Sequence, residues 1–175
     1  MIPIGEAAPD FALPGVAGDR DGRWRLADHR GRWVVLFFYP ADFTFVCPTE
    51  VVGFHREREA FAKLGVDILG VSVDSVESHR EWARELGGIS YPLLADTDRT
   101  VAAAYGVLDR EAGVARRVTF VTDPAGIVAY VVASHHNVGR SVEETLRVVR
   151  ALQTGRLCPA DWQPGDLTSD LGPKY

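Results

Sequence analysis

Two cysteines carry the reactive potential of this sequence: Cys47 in FVCPTE and Cys158 in LCPADW. Each directly precedes a proline, a backbone break where a small buried hydrophobe, the usual role of an arbitrary cysteine, is out of place. No C-x-x-C joins them and no Cys/His spacing suggests zinc, so the pair points to thiol redox chemistry rather than to a disulfide framework or a metal centre. In a reducing compartment a disulfide between two such residues is transient and catalytic. An apolar run ends at Pro40, a short polar loop follows, and Cys47-Pro48 opens what reads as a helix. Proline is well tolerated at the first helical position, where its missing N–H has no intrahelical partner to lose. That predicts a sulfur at a helix N-terminus, facing free backbone N–H groups and the positive end of the dipole. Both favour the thiolate, the nucleophilic form of cysteine.

A helix start is not sufficient by itself. A free cysteine is only a few per cent ionised at neutral pH. Bringing a thiol from about 8.5 to roughly 6 takes about 3.4 kcal/mol, whereas a helix N-terminus typically supplies about 0.3–1 kcal/mol. A hydrogen bond from a charged group, worth roughly 1.5–3 kcal/mol, is of the right size to supply the difference. The chemistry therefore requires an arginine close to the sulfur.

The elements that must position these groups follow from the pattern of the chain. Residues 1–31, rich in Gly, Pro and Asp, read as an entry segment with short strands and a hairpin around 19–22. Residues 33–39 are a continuous β-branched and aromatic run, as in a strand buried on both faces. A helix is predicted over 48–64, with Val51, Phe54, Phe61 and Leu64 on its apolar face and Gly65 as its stop. A second buried strand spans 66–73. Ser75 caps a helix running to about residue 86, ended by Gly87-Gly88. A short strand at 91–95 and a short helix at 98–105 come next. Strands at 116–122 and 127–133 are joined by the turn DPAG, and Ser141 with Glu144 reads as a capping box for a helix to about residue 153. The order βαβ, βα, β-hairpin, α predicts an α/β fold with a central mixed sheet and helices on both faces.

The chain has 175 residues, which reads as a single domain over 1–175, with 154–175 a C-terminal tail carrying the second cysteine. Its composition is that of an ordinary globular protein, 46% hydrophobic and 25% charged, and a net charge of −5 argues against a nucleic-acid face. No basic n-region or apolar h-region opens the sequence, and the longest apolar run is too short to cross a bilayer, so the expected location is cytoplasmic, away from membranes. The five histidines are read as isolated or, for His135-His136, as part of a polar turn; none suggests a metal site.

Beyond these patterns, FYPADFTFVCPTE resembles the peroxidatic-cysteine motif of the typical 2-Cys peroxiredoxins, the group that includes bacterial alkyl hydroperoxide reductase. The likeness continues through SVDSVESHREW, RRVTFVTDPAGIV, VGRSVEETLRVVRALQ and CPADWQPGD, in the family's order and over most of the chain. It implies a thioredoxin-like fold, peroxide reduction without haem, metal or other cofactor, and homodimers assembling into a ring-shaped decamer. It places Arg117 as the active-site arginine, with the adjacent Arg116 as its rival; strand alternation sends the two side chains to opposite faces. It also implies that Thr44 presents a hydroxyl to the peroxide and the sulfur, that Pro40 shapes and shields the pocket, and that Glu50 and Arg140 form a supporting ion network. Trp82 is similarly placed by the likeness, although a helical tryptophan is more often core or interface.

The implied reaction is attack of the Cys47 thiolate on a hydroperoxide, with Arg117 and Thr44 holding the peroxide oxygens. The resulting sulfenic acid condenses with the Cys158 thiol, and an external dithiol, thioredoxin or a flavoprotein disulfide reductase, recycles the disulfide. In the resembled group Cys158 belongs to the partner subunit; the sequence leaves an intersubunit and an intrachain bridge both open. Two departures matter: the ending LTSDLGPKY lacks the Tyr-Phe helix of peroxide-sensitive members, and Gly87-Gly88-Ile89-Ser90 matches their GGLG only in part. Resistance to overoxidation is the expected consequence. A C-x-x-C oxidoreductase is disfavoured by C-P-T-E; an oligomeric holdase chaperone or a peroxide sensor is the alternative function.

Overall fold

The structure, a computed structural model, describes residues 1–170. It divides into two compact units, one from Met1 to Arg140 and a second that begins at Ser141. The expected chain ending LTSDLGPKY lies in part outside the described residues.

In the first unit, β1 (Ala12–Ala17) and β2 (Arg20–Arg25) form the expected hairpin, and a short 3-10 turn follows over Leu26–His29. β3 (Trp33–Phe38) leads through the loop 40–46 into α1 (Cys47–Lys63). β4 (Val66–Ser72), α2 (Val76–Glu85) and β5 (Leu93–Ala95) follow, then α3 (Thr100–Ala104). Two strands of two residues each, β6 (Leu108–Asp109) and β7 (Val114–Ala115), make a separate small hairpin. β8 (Arg117–Thr122) and β9 (Val128–Ser134) complete a seven-stranded mixed sheet in the order β2-β1-β5-β4-β3-β8-β9. β3 and β4 run parallel, as do β4 and β5, whereas β8 lies antiparallel to β3.

The apolar run of β3 has two faces to cover, and alternation divides its residues between them. Val34, Leu36 and Phe38 join one core cluster with Val101 and Ala102 of α3, Tyr105, Val118 and Phe120. On the opposite face Phe37 stacks on Phe54 of α1, ring centroids 4.5 Å apart, and Tyr39 packs on Trp82 of α2 at 5.7 Å. Helices therefore cover both faces of this sheet, as the element order predicts. Gly70 in β4 is demanded by that packing: a Cβ there would lie 2.7 Å from Cζ of Phe37. Gly65 ends α1 at φ +70°, a left-handed conformation that glycine adopts without strain.

In the second unit α4 (Val142–Gln153) is capped by Ser141, whose side chain accepts from the Glu144 N–H. The expected capping box is only half made: the Glu144 carboxylate accepts from Arg147 at 2.6 and 2.7 Å instead. Other differences are at element ends. The predicted strand 91–95 and helix 98–105 shorten to Leu93–Ala95 and Thr100–Ala104, and α1 begins at Cys47 itself, with Pro48 second. Among the described residues no helix is long and apolar enough to cross a membrane.

Candidate active site

The first unit assembles the polar groups around Cys47 from three elements. Cys47 opens α1 and its side chain is wholly buried. Glu50 lies three residues on, which places it on the same side of the helix. Across the sheet, β8 alternates: Val118 and Phe120 face the core cluster, so Arg117 and Thr119 point to the α1 side. Arg117 is buried and its Nη1 donates to Cys47 Sγ at 3.2 Å and to Glu50 Oε2 at 2.7 Å, while its Nε donates to the His136 carbonyl at 2.7 Å. Arg116 goes the other way, exposed, with its Nε 3.8 Å from Asp109. Of the two arginines, Arg117 is the one whose guanidinium reaches the Cys47 sulfur.

Arg140 closes the cluster. Its Nε and backbone N–H donate to Glu50 Oε1 at 2.7 and 2.8 Å, its Nη2 to Oε2 at 3.0 Å and its Nη1 to Thr119 Oγ1 at 3.1 Å. The guanidinium also lies over the Phe37 ring, 5.9 Å from its centroid, a cation–π arrangement. Burial pushes the Glu50 carboxyl up, but the hydrogen bonds and charge of Arg140, with the charge of Arg117, outweigh it and hold the group below its ordinary range. Two guanidiniums and one carboxylate leave this buried cluster with one positive charge in excess, directly beside the sulfur.

Thr44 and Pro40 are near, in different ways. The Thr44 hydroxyl engages the main chain, accepting from the Cys47 N–H at 3.4 Å and donating to the Ala41 carbonyl at 3.3 Å. Pro40 lines a cleft of about 640 Å³ together with Val114, Ala115, Arg117, His135 and His136. Cys47 and Thr44 are not among the residues that line it. Trp82 is buried in the α2 packing described above.

The loop before Cys47 is anchored by a buried network that the sequence reading missed. Asp42 Oδ1 accepts from the Tyr39 hydroxyl at 2.9 Å, and Oδ2 contacts His79 Nδ1 and the Ser78 hydroxyl at 2.8 Å each. The Asp42 N–H donates to Asp74 Oδ2 at 2.9 Å, which also accepts from the Ser72 hydroxyl at 2.6 Å. Burial, with the negative charge of Asp42, drives the Tyr39 phenol well above its usual range. His79 is therefore not isolated, and neither is His29, whose Nδ1 lies 2.7 Å from Asp67. Phe43, next to Asp42, is held at φ +53°, an unusual conformation for a side-chain-bearing residue.

In the second unit Cys158 is half-buried just beyond α4, and neither cysteine is in a disulfide. Thr154 ends the helix, and the Leu157 N–H and carbonyl pair with Ser169 at 2.8 and 3.0 Å.

Comparison with known proteins agrees with this geometry. The sequence matches the AhpC/TSA family over residues 4–131. It is 46% identical to a putative peroxiredoxin in the rubredoxin operon of Clostridium pasteurianum, covering 93% of this chain and 96% of that protein. The reduced 2-Cys peroxiredoxin of Plasmodium vivax superposes with a TM-score of 0.89 at 37% identity, over 94% of this chain and 91% of that one. Mycobacterium bovis AhpC gives 0.85 at 38% identity, over 93% and 99%. Sheet topology, sequence and neighbours converge: this chain belongs to the AhpC/TSA family, the peroxiredoxins, and has their thioredoxin-like fold.

Proposed function

We propose that this chain is a thiol-dependent peroxidase in which Cys47 reduces hydrogen peroxide and alkyl hydroperoxides. The observation that carries the reading is the Arg117 Nη1 donor 3.2 Å from Cys47 Sγ, within a buried cluster that has one positive charge in excess. A thiolate is the species that balances that charge. It attacks the terminal oxygen of the hydroperoxide; the S–O bond forms as the O–O bond breaks, and the leaving oxygen departs as an alcohol or water after taking a proton. Arg117 and the Thr44 hydroxyl, turned from its main-chain partners, hold the peroxide oxygens and the developing charge, with Pro40 shaping the pocket. Glu50 and Arg140 fix the guanidinium.

The Cys47 sulfenic acid then condenses with the Cys158 thiol, releasing water. Disulfide formation needs Cα atoms within about 7 Å, and Cys47 is wholly enclosed in the first turn of α1. Resolution therefore requires that turn and the loop 40–46 to open. An external dithiol, thioredoxin or a flavoprotein disulfide reductase, restores both thiols by exchange. The working form is a homodimer that assembles into a ring-shaped decamer, the whole chain serves as one peroxiredoxin domain with 154–175 as its tail, and the reducing cytoplasm is the compartment that suits this cycle. The test is peroxide consumption with a dithiol reductant. Turnover abolished by Cys47→Ser, and a peroxide-dependent disulfide lost in both Cys47→Ser and Cys158→Ser, are expected. Peroxide consumption by Cys47→Ser at the wild-type rate would refute the assignment.

A further inference from the structure

Cys158 follows the C-terminal end of α4, where the Ala151 and Leu152 carbonyls accept from the backbone N–H groups of Thr154 and Gly155. Its sulfur lies 3.4 Å from Thr154 Oγ1, 3.8 Å from the Ala151 carbonyl oxygen and 3.7 Å from that of Arg156. The Thr154 hydroxyl has a single proton, and its 2.7 Å approach to the Ala151 oxygen commits that proton there. The Thr154 oxygen then accepts from the Arg156 N–H at 3.1 Å and is the nearest of the three oxygens to which the single Cys158 S–H proton can point. Three oxygens thus face this sulfur, at the negative end of the α4 dipole. The setting is the inverse of Cys47, which opens a helix beside a guanidinium.

We propose that Thr154 is a positioning residue for the second half-reaction. Its hydroxyl closes the turn after α4 and holds Cys158 as the thiol, so that hydroperoxide oxidises Cys47 and Cys158 reacts with the sulfenic acid that results. The inference rests on the assignment of Cys158 as the resolving residue. In that condensation the S–S bond forms as the S–O bond of the Cys47 sulfenic acid breaks, and the departing hydroxide takes the Cys158 thiol proton to leave as water. No further oxidant or reductant enters the step. Opening of the turn removes the three oxygens and releases the sulfur for attack.

The test is alkylation of Cys158 by iodoacetamide in the fully reduced chain, followed by peptide-resolved mass spectrometry across pH, for wild type, Thr154→Val and Thr154→Ser. Loss of the hydroxyl in Thr154→Val is expected to speed alkylation about fivefold at neutral pH, the size of one neutral hydrogen bond. The difference should close in strong alkali, where the sulfur is ionised in every variant, and Thr154→Ser should restore the slow rate. Unchanged or slower alkylation in Thr154→Val would overturn the proposal, and so would an acceleration that is the same at every pH, which reports exposure alone. Peroxide-driven disulfide formation in the wild-type chain separates the two levels. If no Cys47–Cys158 disulfide forms, the underlying assignment fails; if it forms while alkylation ignores Thr154, only the role of Thr154 fails.

Discussion

Replacing Arg117 by methionine removes the guanidinium while keeping a long side chain in the buried space beside the sulfur. The hydrogen bond lost is the charge-assisted contact of 3.2 Å to Cys47 Sγ. Such bonds contribute roughly 1.5–3 kcal/mol, which corresponds to a loss of about 10- to 150-fold in the rate of Cys47 oxidation at about 1.36 kcal/mol per tenfold. Folding should survive, because Glu50 keeps two side-chain bonds and one main-chain bond from Arg140. The penalty of about 3–5 kcal/mol for stranding a buried charge therefore does not apply in full. Stopped-flow tryptophan fluorescence is the assay, since Trp82 lies 6.3 Å from Phe43 in the loop that leads to Cys47. The second-order rate should fall by that factor, with the unfolding transition still cooperative. A folded Arg117→Met protein that oxidises within about twofold of wild type would show that no bond of the stated strength had been lost.

Two further outcomes follow from the same geometry, and a third from the partial match of Gly87-Gly88-Ile89-Ser90 to the GGLG of peroxide-sensitive members. The Glu50 carboxyl is held below its ordinary value in the folded chain, so its contribution to stability is fully present above the usual carboxylate range and is lost as pH falls through the lowered value; acid titration followed by circular dichroism should show this limb, and Glu50→Gln should flatten it. Asp42→Asn weakens an anchor shared by Tyr39, Ser78 and His79, so it should cost about 1–3 kcal/mol in chemical denaturation and speed amide exchange over residues 40–46; unchanged exchange there would show that the loop is held otherwise. Brief excess peroxide should convert Cys47 mainly to disulfide, and mass spectrometry showing mostly sulfinic acid would contradict the expected resistance to overoxidation.

Much of this site is legible in the chain because its determinants are local. Cys47-Pro48 reads as a helix start from two residues; alternation puts Arg116 and Arg117 on opposite faces at the start of β8, while the family likeness is what points to Arg117. The Asp42–His79 pair is not legible in that way: the two residues are 37 positions apart, and only the side-by-side run of β3 and β4 brings Tyr39 and Ser72 to the same end of the sheet. A lone histidine on a helix carries no sign of a carboxylate arriving from another loop. β6 and β7 escape for a different reason, since strands of two residues are too short to show any period. Glu144 illustrates a third cause: the capping-box pattern is present, but Arg147, one turn further on, takes the carboxylate. The turn at Thr154 belongs with these, because its meaning depends on where a hydroxyl proton points rather than on residue type.

The most direct measurement is the ultraviolet absorbance of the thiolate in reduced Cys158→Ser protein at neutral pH, where Cys47 is the only thiol. A buried cluster with one positive charge in excess predicts that the thiolate signal is already present at neutral pH, and that it disappears in Arg117→Met. Absorbance that emerges only in alkali, and identically in the two proteins, would contradict the role of Arg117 and with it the proposed chemistry.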